Sequence, residues 1–216
     1  MCKSLIEGTI VDAGKIQAFA SPCLDQLMST PMKPTSDSYA VEVAGLRRQL
    51  PLFEVAPGVR IAIVNILGDS ELVLAASKHL AARLKGVSAD LLVTAEAKSI
   101  PLAFALANDL KLPWVVLRKN YKPYMGNATQ TETLSITTGQ PQKLFLDEKD
   151  RALIEGKRVI LVDDVISTGS TLQGMQLLVN NVGGEVVARA AIFTEGDRAK
   201  WQDITALGHL PVFTSE

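Results

Sequence analysis

Residues 158 to 174 read RVILVDDVISTGSTLQG. Two acids, Asp163 and Asp164, stand side by side, and a run of small residues follows: Ser167, Thr168, Gly169, Ser170 and Thr171. An apolar run precedes them and a helical pattern follows, so the small residues occupy a strand-to-helix loop. Backbone N–H groups at a helix start converge on one centre, and the helix dipole favours an anion there. The hydroxyls add donors, and Gly169 lets the backbone approach closely. This is a phosphate cradle. The acids cannot serve the same anion, because they would repel it. They must address hydroxyls or a metal. A ribose diol donates readily to carboxylates, and Mg2+ takes oxygen ligands through one or two carboxylates plus substrate oxygens. A cradle beside such a pair describes a pocket for a ribose 5-phosphate. Two other phosphate motifs are excluded. No G-x-x-x-x-G-K-[ST] occurs, since Gly156-Lys157 precedes the strand, and no G-x-G-x-x-G occurs either.

The elements that must position these residues show a regular alternation from residue 60. RIAIVNIL (60–67) is a strand candidate, and GDS then offers a turn and a helix N-cap with Glu71 in the first turn. Leu72, Ala75, Ala76, His79, Leu80 and Leu84 follow at helical spacing. ADLLVTA (89–95) is the next strand; Pro101 opens a helix continued by Leu102, Ala105, Leu106 and Leu110. LPWVVLR (112–118) and RVILVDD (158–164) are strands, Leu172, Met175, Gln176 and Val179 mark a helix stopped by Gly183-Gly184, and EVVARAAIF (185–193) is a fifth strand. Apolar strands alternating with helices predict an α/β fold, a central mainly parallel sheet with helices on both faces. In such sheets ligands bind beyond the carboxyl ends of the strands. The loops to inspect are therefore 67–71, 94–101, 118–140, 163–171 and 193–201. Residues 119–147 break the alternation. Their first half is polar and basic, and their second half alternates like a hairpin around Gly139-Gln140-Pro141. An excursion of that length reads as functional. Residues 21–38, rich in proline and serine, read as linker. The expected organisation is an N-terminal segment or hood, 1–55, and a main domain, 56–216, with a mobile loop at 118–140.

Composition removes several function classes. The formal net charge of −1 gives no global argument for nucleic acid or an acidic membrane surface. The apolar runs fall short of the ~20 residues that cross a bilayer, and MCKSLIEGTI does not read as a secretory signal. Cys2 and Cys23 have neither metal-ligand nor disulfide-framework spacing. A cytoplasmic protein with no nucleic-acid or membrane partner is expected. His79 reads as structural and His209 as a surface residue.

The stretch VILVDDVISTGSTL resembles the signature loop of the type I phosphoribosyltransferases, and the resemblance runs from about residue 60 to 195. It implies the fold of that family with a small hood, binding of 5-phosphoribosyl 1-pyrophosphate (PRPP) with Mg2+, and displacement of pyrophosphate by a nitrogenous base. VTAEAKSIPLAFALA (93–107) resembles the family's pyrophosphate loop, with Glu96, Lys98 and Pro101 in place and Ser99 where glycine is usual. The resemblance implies PRPP contacts from Ala95, Glu96, Ala97 and Lys98; some members carry a non-proline cis peptide here. RKNYKPYMGN (118–127) resembles the R-K-x-x-K stretch of adenine and xanthine enzymes, which implies that Arg118, Lys119 and Lys122 neutralise departing pyrophosphate under a lid. Asp163 and Asp164, with Lys119 and Lys122, are the implied catalytic residues, and Asp163 and Asp164 the implied metal contacts. The acids that relatives place near the base are replaced by Thr137 and Ser167, with Glu132 or Asp69 as substitutes. Leu67, Asp69, Phe193 and Trp201, with Phe53, are the candidates to meet a purine. Adenine is the expected base and xanthine the next; the alternative is a non-catalytic PRPP-sensing regulator. A homodimer is implied.

Overall fold

The computed structural model describes residues 5–6, 9–10, 34–134 and 141–214. Cys2, Cys23 and Thr137 lie outside them. The chain divides into Met1–Lys33 and Pro34–Glu216. In the first unit, Leu5–Ile6 pairs antiparallel with Thr9–Ile10. The second unit contains, in order, β1 (Pro34–Val43), β2 (Leu46–Ala56), β3 (Val59–Ala62), α1 (Ser70–Arg83), β4 (Leu91–Ala95), α2 (Ile100–Leu110), β5 (Trp114–Leu117), β6 (Thr129–Leu134), β7 (Pro141–Leu146), β8 (Arg158–Ile166), α3 (Ser170–Asn181), β9 (Glu185–Glu195), β10 (Thr205–Leu210) and β11 (Phe213–Thr214).

Five strands form a parallel sheet in the order β10-β9-β8-β4-β5. The central strands are apolar along nearly their whole length because both faces are covered. On one face Ile160, Val162, Ala190 and Ile192 pack with Leu72 and Leu80 of α1 and Leu102 and Leu106 of α2. On the other, Val159, Leu161 and Ala191 pack with Met175, Leu178 and Val179 of α3. The carboxyl ends of β4, β5, β8 and β9 are thereby fixed side by side, since Val162 pairs with Thr94, Ala95 with Leu117, and Ile166 with Thr194. At the opposite end, Asp90 clamps the start of β8: its Oδ2 accepts from the Arg158 amide at 2.8 Å and its Oδ1 from Arg158 Nη2 at 2.9 Å.

The parallel α/β sheet with helices on both faces agrees with the sequence expectation, and two assignments within it are corrected. The run 60–67 is not a strand of the parallel sheet. Only Val59–Ala62 is a strand, and it pairs antiparallel with β2 in a second sheet ordered β11-β3-β2-β1. Beyond it the chain leaves the ladder, and its apolar residues are explained by burial of Val64 and Ile66 in the core. The fifth parallel strand is Thr205–Leu210 instead. It lies at the sheet edge and is mostly half-buried, so TALGHL carries no continuous apolar run. The proline- and serine-rich stretch also ends sooner than expected, because residues 34–38 already belong to β1. β1 turns into β2 through Ala44-Gly45, both with positive φ. Val43, Leu50 and Leu52 of this sheet join the core that holds α1 and α2.

The hairpin expected near Gly139-Gln140-Pro141 is present as β6 and β7, from Thr129↔Leu146 to Leu134↔Pro141; residues 135–140 lie outside the described residues. Its strands are docked on α3. A Cβ at Gly174 would stand 3.0 Å from Leu144 Cδ1, so the glycine is what lets the two elements touch. Thr133 Oγ1 donates to the Ser170 carbonyl at 3.4 Å.

Candidate active site

The small-residue loop joins β8 to α3. Ser167, Thr168, Gly169, Ser170 and Thr171 line one concavity with Asp163. Gly169 is the residue before the first turn of α3 and has φ +80°. Two constraints demand glycine there, the left-handed backbone and the Trp201 ring, whose Cη2 would lie 2.9 Å from an added Cβ. Thr168 Oγ1 and Ser170 Oγ lie 3.0 Å apart. The twelve-residue helix behind the loop directs its N-terminus at this concavity, which is the geometry of an anion site.

The acids sit at the floor. Asp163 is 9% exposed and Asp164 6%. Asp163 Oδ1 accepts from the Asp164 amide at 2.9 Å. Burial first, and then the neighbouring Asp164 charge, push the Asp163 carboxyl well above the usual carboxylate range; the Lys119 charge opposes that rise. Asp164 Oδ2 lies 3.1 Å from Lys98 Nζ, yet the approach is not aligned as a hydrogen bond and this buried oxygen accepts none. Lys98 Nζ donates instead to the Val64 carbonyl at 3.0 Å. A buried acid pair with an open oxygen is a site for a donor or a hard cation.

A second loop faces the pair, with Lys98 Nζ 3.1 Å from Asp164. The loop after β4 contains a cis peptide between Glu96 and Ala97 and leads into α2 with Pro101 in its first turn. Ser99 is buried, and its hydroxyl donates to the Ala95 carbonyl at 2.9 Å while lying 2.8 Å from Thr94 Oγ1. The serine that stands for a glycine thus ties the loop to its own strand. Glu96 points the other way. Its Oε2 accepts from the Lys119 amide at 3.0 Å and its Oε1 lies 3.1 Å from Arg118 Nε. Burial pushes the Glu96 carboxyl up, but the Lys119 amide and Arg118 outweigh it and hold it below its ordinary range. Glu96 is therefore a strut between two loops, while Lys98 is held between Asp164 and the Val64 carbonyl. Arg118 also donates to the Tyr124 hydroxyl at 3.3 Å. The side chains of Lys119 and Lys122 are exposed; the charge of the first bears on Asp163 and that of the second on Glu96. Three loops distant in sequence thus meet around one acid pair, with cationic or N–H-bearing walls on both sides.

Residues 64–209 match the phosphoribosyl transferase domain family. The chain belongs to this family. A probable purine biosynthesis transcriptional regulator PurR of Streptococcus pneumoniae is 29% identical over 157 residues, which are 71% of this chain and 56% of that protein. The chain therefore spans a little over half the length of such regulators. The adenine phosphoribosyltransferase of Beijerinckia indica subsp. indica is 31% identical over 156 residues, 70% of this chain and 83% of that enzyme. In three dimensions the chain resembles the adenine phosphoribosyltransferase of Thermoanaerobacter pseudethanolicus with a TM-score of 0.57, covering 80% of this chain and 95% of that one at 23% identity. The fold is the type I phosphoribosyltransferase fold.

Within this phosphoribosyltransferase fold the expected base contacts scatter. Phe193 is 2% exposed, its ring packed in the core where a Cβ at Gly208 would meet it at 2.8 Å, so it presents no free face. Trp201 lies against Gly169 of the cradle and donates its indole N–H to the Glu195 carbonyl at 2.9 Å. Asp69 caps α1 by accepting from the Leu72 amide at 3.1 Å, and Arg48 clasps its other side, Nε to Oδ2 at 2.7 Å. Leu67 is 50% exposed. Glu132, on β6, is exposed and pairs with Lys143 at 3.5 Å. His79 is exposed, with Nδ1 2.8 Å from the Ala75 carbonyl, and is not part of the apolar face of α1. His209 is half-buried between Thr194 Oγ1 and the Gly196 carbonyl. Sequence reasoning missed Arg48 and Thr133. Both act through tertiary partners and leave no local pattern.

Proposed function

We propose that this protein is a purine phosphoribosyltransferase, converting adenine and PRPP to AMP and pyrophosphate. The observation that carries the reading is the buried Asp163-Asp164 pair beside two loops, the Ser167–Thr171 loop at the start of α3 and the Glu96–Ser99 turn that brings Lys98 to Asp164. PRPP has that layout: a 5-phosphate, a ribose diol and a 1-pyrophosphate. The cradle takes the 5-phosphate, the acids accept from the ribose hydroxyls, and Lys98, Lys119 and Lys122 face the pyrophosphate. As the C1–O bond breaks, positive charge develops on the ribose and negative charge on the leaving group. Pre-placed cations and N–H groups stabilise the latter, and a base held over C1 completes the displacement. The hairpin and the basic stretch before it serve as the lid that excludes water. Residues 39–55 and the segment 196–204 after β9 serve as hood.

The donor set suits Mg2+. Asp164 Oδ2 is a buried hard oxygen that accepts no hydrogen bond, with Lys98 Nζ 3.1 Å away, and no group of three or more acids, histidines or cysteines that could hold a metal exists among the described residues, so substrate oxygens would complete the shell. Asp163 and Asp164 would hold the ion, which supplies charge neutralisation at the pyrophosphate. No helix among the described residues is long and apolar enough to cross a membrane. A cytoplasmic homodimer completes the reading, and sedimentation velocity tests the dimer.

Xanthine is the second base. A PRPP-sensing regulator is a second reading, favoured by the likeness to PurR proteins. One assay separates them: pyrophosphate release with PRPP, Mg2+ and adenine, xanthine, hypoxanthine or guanine. Turnover with adenine fastest is expected. PRPP binding without turnover of any base would favour the regulator.

A further inference from the structure

Glu195 is the last residue of β9, at the carboxyl edge of the parallel sheet. It is 8% exposed, and its carboxyl accepts no hydrogen bond among the described residues. Ile166 pairs with Thr194, so the parallel register sets Glu195 level with Ser167, where the cradle begins. Lys98, 3.1 Å from Asp164, is also close enough for its charge to act on Glu195. Glu195 therefore stands one position past the strand pair that leads into the cradle, within reach of the charge of the lysine that pairs with Asp164.

The Glu195 oxygens are not among the fully buried orphan atoms of the described residues, so they keep a narrow contact with solvent that a ligand donor could replace. The phosphate and the pyrophosphate cannot be that ligand, because both are anions. The ribose hydroxyls have the Asp163-Asp164 pair. What remains of the reaction is the base, a flat heterocycle with N–H donors and ring-nitrogen acceptors along one edge. We infer that Glu195 is the specificity-determining residue that hydrogen-bonds the polar edge of the purine. This rests on the phosphoribosyltransferase reading and deepens it. Burial pushes the Glu195 carboxyl above its ordinary range, with Lys98 opposing.

The test is Glu195→Gln, nearly isosteric, with Glu195→Asp as a second variant that keeps the acid but shortens its reach. Steady-state kinetics with each of the four purines is paired with calorimetric PRPP binding and purine binding in the presence of PRPP and Mg2+. The expected result for Glu195→Gln is at least a tenfold loss in kcat/KM for the preferred base, an altered order among the bases, and PRPP affinity within twofold of wild type. Glu195→Asp should fall between. Unchanged base kinetics in Glu195→Gln would overturn the inference while leaving the enzyme reading intact. So would a loss shared equally by PRPP affinity, which would make Glu195 a counter-charge to Lys98. If the wild type binds PRPP but turns over no base, the enzyme reading fails separately. Purine binding then decides: equal purine affinity in both proteins, or none in the wild type, overturns the inference.

Discussion

At the scale of single residues, the acid pair and the cradle were legible because their chemistry is local. Two carboxylates, a positive-φ glycine and four hydroxyls within nine positions need no tertiary information to be read as a ribose-phosphate site. Glu195 was not legible as a site, because in IFTEGDR an acid before Gly-Asp-Arg looks like an exposed turn. Only the fold shows it buried, one position past the strand pair Ile166–Thr194. Asp69 and Phe193 have structural partners that sequence could not show: Asp69 caps α1 and meets Arg48, and Phe193 is packed in the core. Asp90 shows a residue whose effect is purely structural. Arg158's side chain, then its amide, hold the Asp90 carboxyl far below its ordinary range. A depressed carboxylate contributes stability that is fully present above its unfolded value, about pH 4, and is lost as pH falls through the folded one. Urea unfolding between pH 6 and pH 3 should show wild type more stable than Asp90→Asn at pH 6. That margin should shrink below pH 4; a margin that grows on acidification would refute the assignment.

At the scale of elements, the sequence placed the helices and four parallel strands well, because burial on both faces leaves long apolar runs. It failed at the edge. Val59–Ala62 lies in the antiparallel sheet instead of the parallel one, and Thr205–Leu210, assigned no strand from sequence, is the parallel edge strand, since apolar content tracks burial and not sheet membership. The hairpin was readable from its alternation, but its seat was not. That seat depends on Gly174, an interior helix glycine that would otherwise cost about 1 kcal/mol relative to alanine. Here it accommodates Leu144 and Thr133. Gly174→Val should destabilise the protein by about 1–3 kcal/mol through overpacking, measured by chemical denaturation. A neutral result would mean that the hairpin is not held on α3 as described.

At the scale of the whole fold, one sheet brings the loops after β4, β5, β8 and β9 to one edge. The core on each face fixes the strand ends, the strand ends fix Asp163, Asp164 and Glu195, and the helices begin where anions must be met. The family was recognisable from three short segments because those segments are the loops at that edge. The base was not, because its contacts come from whichever residues surround the acid pair in space. The most direct measurement of the central claim is a calorimetric titration of PRPP with Mg2+ into wild type and into Asp163→Asn/Asp164→Asn. The account predicts saturable binding to wild type and at least a tenfold weaker affinity in the double variant, the cost of about 1.4 kcal/mol or more in lost contacts. Equal PRPP affinity in both proteins, or none in the wild type, would contradict it.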